Sequence, residues 1–244
     1  MIRLILIAVF LGLFLILTIP ILIVEWIIGH FNPKLKDRSS LAIVKWAFRV
    51  IRFLTLSKVK YIDVDNIPDD QPVLYVGNHQ SYFDIVFTYI MVKGTTGYIA
   101  KDGMKNFFLL ATWMRNLHCL FINRENIKEG LKTILDGVKE VKNGVSITIF
   151  PEGTRNPNPD TLMTFKEGSL KIAEKAKCPI VPVAITGTAD VWEKHLPWIK
   201  SANVVIRYGK PIYLDKLSDE DKKHPGAYVQ NIIQKMYLEN KELL

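Results

Sequence analysis

Hydrophobic and polar positions change rhythm twice along this chain. From Leu4 to Val24 the run LILIAVFLGLFLILTIPILIV holds 21 residues without a charge. At a rise of about 1.5 Å per residue this is long enough to cross a hydrocarbon layer of about 30 Å. Pro20 supplies a kink, so two arrangements stay open: a span, and a helix that dips into one leaflet and returns. A cleaved leader is disfavoured by the thin basic start, the lack of a small-x-small site and the return of apolar residues as WII after Glu25. Beyond a polar turn, HFNPKLKDRSS, the segment LAIVKWAFRVIRFL has helical spacing, with Lys45, Arg49 and Arg52 on one narrow basic stripe. Such a helix suits a lipid interface, its stripe meeting anionic headgroups while Trp46, Phe48, Ile51 and Phe53 enter the acyl layer. The same periodicity suits a helix packed on a soluble core. Residues 1–56 are therefore expected to form a membrane-associating helical hairpin. Lys34, Lys36 and Arg38 follow the first apolar segment, and if it spans, this asymmetry places the remainder on the cytoplasmic face of the cell membrane.

From residue 57 to 244 the pattern predicts a single α/β unit. Short runs rich in β-branched and aromatic residues, VKYIDV, PVLYVGN, TGYIA, HCLFIN, VSITIF, PIVPVAI and NVVIRYG, are separated mostly by stretches of helical spacing such as IKEGLKTILDGVKEVKNG. Several runs are apolar throughout, as strands covered on both faces are, so a largely parallel central sheet flanked by helices is expected. Gly144 ends the helix before VSITIF, RNPNPD reads as an irregular loop, and the tail from Ser218 onward reads as a charged terminal helix.

Composition narrows the class. Lys and Arg outnumber Asp and Glu by 32 to 24, and the sequence pI is about 9.3, so the surface attracts anions, whether nucleic acid, headgroups or phosphorylated substrates. Only two cysteines occur, Cys119 and Cys178, both in apolar stretches, which argues against a disulfide framework.

The chemistry centres on NHQSYFD, residues 78–84. His79 follows the strand PVLYV, at the carboxyl end where open α/β sheets gather ligands. Asp84 is five positions on, and a turn entering a helix near Ser81 brings its carboxylate back to the imidazole. It would then accept a hydrogen bond from Nδ1–H, fixing the tautomer that leaves a bare Nε2 toward substrate. Taken alone, the spacing fits a helix cap equally well. A second element, FPEGTR, leaves the strand VSITIF in a turn suited to an anion: Gly153 permits close backbone approach, Thr154 offers a hydroxyl and Arg155 a bidentate fork. Glu152 is expected to hold Arg155 or to bond a substrate hydroxyl. Lys101 after TGYIA and Arg124 after HCLFIN would lie at carboxyl ends of the same sheet, with Lys105 a weaker cationic candidate.

NHQSYFD, FINR, FPEGTR and IVPVAI, in this order and at these intervals, resemble the four motifs of the glycerolipid acyltransferases, over roughly residues 60 to 215, and most resemble those of the family's bacterial 1-acyl-glycerol-3-phosphate members. The resemblance implies transfer of a fatty acyl group from acyl carrier protein or coenzyme A to the 2-hydroxyl of lysophosphatidate, forming phosphatidate. It implies membrane lipid as partner, no nucleic acid, and no metal or cofactor beyond the thioester co-substrate. His79 and Asp84 would be the catalytic pair, Arg124, Glu152, Gly153 and Arg155 would bind the glycerol phosphate, and Val181, Pro182 and Val183 would shape the core beneath the acyl site. Asn123 stands where many relatives have aspartate. Histidine can serve the acceptor hydroxyl directly, so no acyl-enzyme is required, and backbone N–H groups at the helix start after His79 are the expected oxyanion donors. A neighbouring acyltransferase reaction, with glycerol 3-phosphate or another lysophospholipid as acceptor, would use the same dyad; a serine hydrolase built on Ser81 or Ser169 is a second rival enzyme, though neither serine lies in a G-x-S-x-G elbow. A basic membrane tether is the non-enzymatic rival.

Overall fold

The computed structural model describes residues 1–158 and 161–244. Its strands fall on the expected runs: β1 Lys58–Ile62, β2 Leu74–Gly77, β3 Thr96–Lys101, β4 Leu120–Ile122, β5 Ser146–Ile149, β6 Ile180–Thr186 and β7 Asn203–Tyr208. They form one sheet in the order β1-β7-β6-β2-β5-β3-β4. Every neighbouring pair is parallel except β6 with β7. The carboxyl ends of β2, β5, β3 and β4 therefore lie side by side along one edge.

Period-two alternation sends successive side chains to opposite faces and makes two cores. Tyr75, Val181, Val183 and Ile185 join one core with Phe83 and Phe87 of α4 (Tyr82–Tyr89) and Trp113 of α5 (Phe108–Asn116). Leu74, Val76, Ile180 and Ala184 join the other. That second layer is α6 (Ile127–Lys142), α7 (Lys171–Ala176) and α8 (Pro225–Lys241). The terminal helix begins at Pro225 rather than near Ser218, proline being suited to the first turn. Part of the expected loop 155–160 lies outside the described residues, at Pro159 and Asp160. Both cysteines are free and buried, and burial lifts the thiol of Cys119 to about 12 and that of Cys178 to about 11.

The amino-terminal segment is three helices: α1 Ile2–Leu17, α2 Ile19–Phe31 and α3 Pro33–Thr55. The first two are bent by 49° at Thr18; among the described residues no single helix is long and apolar enough to cross a membrane, and the bent pair meets that test of length and composition only when its two helices are taken together. The polar turn is shorter than expected. KLKDRSS is helical, because the Asn32 side chain accepts from the Leu35 N–H at 3.1 Å and caps α3 at its start.

The expected interfacial helix is largely a packed one. Val44, Ala47 and Ile51 are buried in the first core, which corrects the placement of Ile51 in lipid. Lys45 Nζ donates to the Val92 carbonyl at 2.7 Å and the Arg52 guanidinium lies 5.6 Å from the Tyr61 ring centre, so two cations of the stripe face protein. Trp46 and Phe53 remain 54% and 73% exposed. Other contacts weld the hairpin to the sheet layers. Phe14 packs on Trp113 at 5.6 Å, the Trp113 indole donates to Thr18 Oγ1 at 3.1 Å, and His118 sits between Asp37 of α3 (3.1 Å) and Glu140 of α6 (2.9 Å). Thr18→Val keeps the shape but leaves the buried indole N–H unpaired. We expect it to lower unfolding free energy by about 1–3 kcal/mol in urea titrations.

Candidate active site

Strand β2 ends at Gly77, and the next side chain continues the sheet where the backbone leaves it. Asn78 donates to the Ile185 carbonyl and accepts from the Ile185 N–H, both at 2.8 Å, mimicking one more residue of pairing with β6. His79 is thereby delivered at the strand end. Its ring stacks on Phe150 with centroids 4.3 Å apart and planes 10° from parallel.

The loop after β5 grips the backbone of His79 on both sides. The His79 N–H donates to Glu152 Oε1 at 2.7 Å, and the His79 carbonyl accepts from the Asn156 N–H at 2.7 Å. Motifs 73 residues apart thus share one short stretch of main chain.

Asp84 joins the two readings of NHQSYFD, cap and partner. Ser81 caps α4, accepting from the Phe83 N–H at 3.0 Å, and Asp84 Oδ2 completes a capping box by accepting from the Ser81 N–H at 2.8 Å. The same oxygen accepts from the Gln80 N–H at 2.7 Å and contacts His79 Nδ1 at 2.8 Å. Oδ1 takes the Thr188 hydroxyl at 2.5 Å. A carboxylate that accepts at every contact fixes the proton on Nδ1 and leaves Nε2 as the acceptor. Asp84 is fully buried, whereas the His79 side chain keeps 15% of its surface exposed.

Thr188 was not foreseen from the sequence. It follows β6 by two residues, after Gly187, which has φ +85° and where a Cβ would stand 2.2 Å from the Asn203 carbonyl oxygen. The contact joins positions 104 apart in the chain, and no local pattern signals it.

The expected oxyanion donors are already used. The N–H groups of residues 79 to 84 donate to Glu152, Asp84, Asp84, Glu193, Ser81 Oγ and the Ser81 carbonyl in turn. This corrects the expectation: the cap formed by Ser81 and Asp84 takes four of these amides, and Glu152 and Glu193 take the other two. Ser81 Oγ is likewise committed as a cap and fully buried, and Ser169 is buried on the turn before α7.

The cations divide. Arg155 adjoins the loop that holds His79, but Glu152 does not hold it: Arg155 Nη1 pairs with Glu193 Oε1 at 3.2 Å and its guanidinium lies 3.8 Å from the Tyr82 ring centre. Glu152 instead accepts from the His79 and Met163 N–H groups, one with each oxygen, and is only 3% exposed. Gly153 has φ +77°, and a Cβ there would stand 2.8 Å from Lys166 Nζ, a cation beside the turn that the sequence reading missed. Thr154 is exposed in the same turn. Lys101 and Arg124 sit at the ends of β3 and β4, two and three strands from β2, or about 10 and 14 Å across the sheet at roughly 4.8 Å per strand. They reach the site only from its flank. Lys105 pairs with Asp102 at 2.8 Å. Val181, Pro182 and Val183 are interior residues of β6.

A model of the acyltransferase family matches residues 58–186, just over half of the chain. The chain belongs to the acyltransferase family. The 1-acyl-sn-glycerol-3-phosphate acyltransferase of Borreliella burgdorferi is 28% identical to this acyltransferase over 81% of its chain and 79% of that protein. The Saccharomyces cerevisiae protein of the same name is 28% identical over 80% of this chain, which spans 64% of the yeast protein. The crystal structure of the 1-acyl-sn-glycerophosphate (LPA) acyltransferase PlsC from Thermotoga maritima superposes with a TM-score of 0.82 at 24% identity, covering 98% of this chain and 95% of that one. That likeness shows the fold.

Burial lifts the Glu152 carboxyl from its ordinary 4.5 to about 7, against the opposing pull of the two N–H groups it accepts. Between those values the folded chain holds a proton that the unfolded chain has released. This stabilisation is therefore complete below pH 4.5, falls as pH rises through 7, and is gone above. Glu152→Gln cannot titrate. The stability of wild type relative to this variant, measured by denaturant at a series of pH values, should decline across that window and level off above it.

Proposed function

We propose that this acyltransferase moves a fatty acyl group from an acyl carrier protein or coenzyme A thioester to the 2-hydroxyl of 1-acyl-sn-glycerol 3-phosphate, giving phosphatidate. One observation carries the reading: the 2.8 Å contact of His79 Nδ1 with a buried, fully bonded Asp84, which leaves the opposite ring nitrogen free to accept a proton, on a side chain that keeps 15% of its surface exposed. The names of the relatives supply the acceptor.

A secondary alcohol is a poor nucleophile at neutral pH. In this reading His79 Nε2 takes the hydroxyl proton as the oxygen attacks the thioester carbonyl, and Asp84 stabilises the imidazolium. The tetrahedral intermediate collapses, the C–S bond breaks, and the thiolate recovers the proton from the ring. No acyl-enzyme forms. Arg155, with Lys166 nearby, would hold the acceptor phosphate through charge-assisted hydrogen bonds, and Lys101 and Arg124 would serve the flank of the substrates.

The greasy hairpin would keep the site at the bilayer, where the acceptor's tail remains in lipid. Its outward residues include Ile23 and Trp26, 56% and 70% exposed. Ile23→Asp with Trp26→Asp should strongly reduce cosedimentation with anionic liposomes while leaving the melting curve near that of wild type; undiminished binding would place the anchor elsewhere.

For the chemistry, purified protein is offered lysophosphatidate and glycerol 3-phosphate in competition, with carrier-protein and coenzyme A thioesters in turn. Phosphatidate should be the product. His79→Ala should lower turnover by about 10²- to 10⁴-fold without loss of fold. A variant that keeps most of its turnover would end the general-base reading.

A further inference from the structure

The guanidinium of Arg155 is held from two sides by residues that none of the motif roles includes. Its face lies 3.8 Å from the Tyr82 ring centre, close for a cation–π contact, and its Nη1 pairs with Glu193 Oε1 at 3.2 Å. The same carboxylate oxygen accepts the backbone N–H of Tyr82 at 3.0 Å. A single atom of Glu193 therefore ties the arginine to the residue on which it stacks. Trp192, 5.7 Å from Tyr82 and donating its indole N–H to the Pro197 carbonyl at 3.1 Å, braces that ring in turn.

Glu193 is an expensive choice for a mere spacer. Its side chain is 17% exposed, and Oε2 is buried with no hydrogen-bond partner among the described residues. A half-satisfied buried carboxylate is destabilising unless its charge is matched. Arg155 is the cation that matches it. The geometry also leaves part of the arginine unspent, since only Nη1 is engaged by Glu193.

We propose that Glu193 is the positioning residue for Arg155, fixing the guanidinium plane against Tyr82 so that Nε and Nη2 stay available to the acceptor's phosphate. This rests on the reaction proposed above. An unpinned arginine loses its rotamer freedom when phosphate binds; here that freedom is lost on folding instead, which strengthens binding. The segment 187–193 then serves both halves of the site, with Thr188 on the Asp84 carboxylate and Glu193 on the arginine.

The test is a double-mutant cycle in steady-state kinetics with lysophosphatidate as acceptor and a fixed thioester donor. Glu193→Ala should raise the acceptor KM about tenfold and leave the donor KM unchanged, corresponding to the loss of one well-placed charge-assisted hydrogen bond. Glu193→Gln, which keeps an oxygen for the two donors, should recover part of that loss. Arg155→Ala should raise the acceptor KM further, and adding Glu193→Ala to it should change the acceptor KM no more. If the two effects multiply, or if Glu193→Ala depresses kcat and both KM values alike, Glu193 acts structurally and the positioning role is overturned. A wild type that forms no phosphatidate defeats the reaction itself and this role with it, whereas an active wild type with an unchanged acceptor KM in Glu193→Ala defeats this role alone.

Discussion

One carboxylate with no exposure to solvent organises the centre of this molecule. Asp84 accepts hydrogen bonds from the His79 ring, two backbone amides and the Thr188 hydroxyl. A charge so placed is tolerated only when its lone pairs are matched, because an unmatched one costs several kcal/mol in desolvation. The consequence is mutual. Each donor is held by the carboxylate as firmly as it holds the carboxylate, and the donors come from two places: the turn between β2 and α4 and the segment after β6.

Glu152 is a second buried acid one loop away, and there burial outweighs the hydrogen bonds and favours the protonated form. It spends both oxygens on backbone amides, one of them the amide of His79. The histidine is thus fixed at its main chain by one acid, at its ring by another and on its face by Phe150. In the proposed reaction, a histidine held this firmly would need little rearrangement as charge develops, which is the physical content of preorganisation. The cost falls on the amides: every N–H from 79 to 84 is spent on building the support.

The amino-terminal helices belong to the same construction. Trp113 reaches Thr18, and His118 bridges Asp37 and Glu140, so the apolar hairpin shares a core with the sheet rather than hanging from it by a linker. A hairpin so joined sets where the sheet edge stands relative to whatever surface the exposed apolar residues meet.

Strand positions, the parallel sheet and the His79 and Asp84 pair were legible in the sequence, because each leaves a local signature: runs apolar throughout where both faces of a strand are covered, turn residues between them, and a cap three residues long. Arg155 was legible as a cation in a glycine turn. Its true partner was not, for Glu193 is 38 positions distant, and a carboxylate at 152 was the nearest plausible match. Thr188, Lys166, the inward turn of Lys45 and the burial of Ile51 were equally hidden. Periodicity says which side of a helix is apolar, but not whether protein or lipid covers it. Local spacing determined which groups stand at strand ends; their order along the sheet edge and which of them touch were decided by tertiary packing, since a hydrogen bond between residues a hundred apart leaves no periodic trace in either segment.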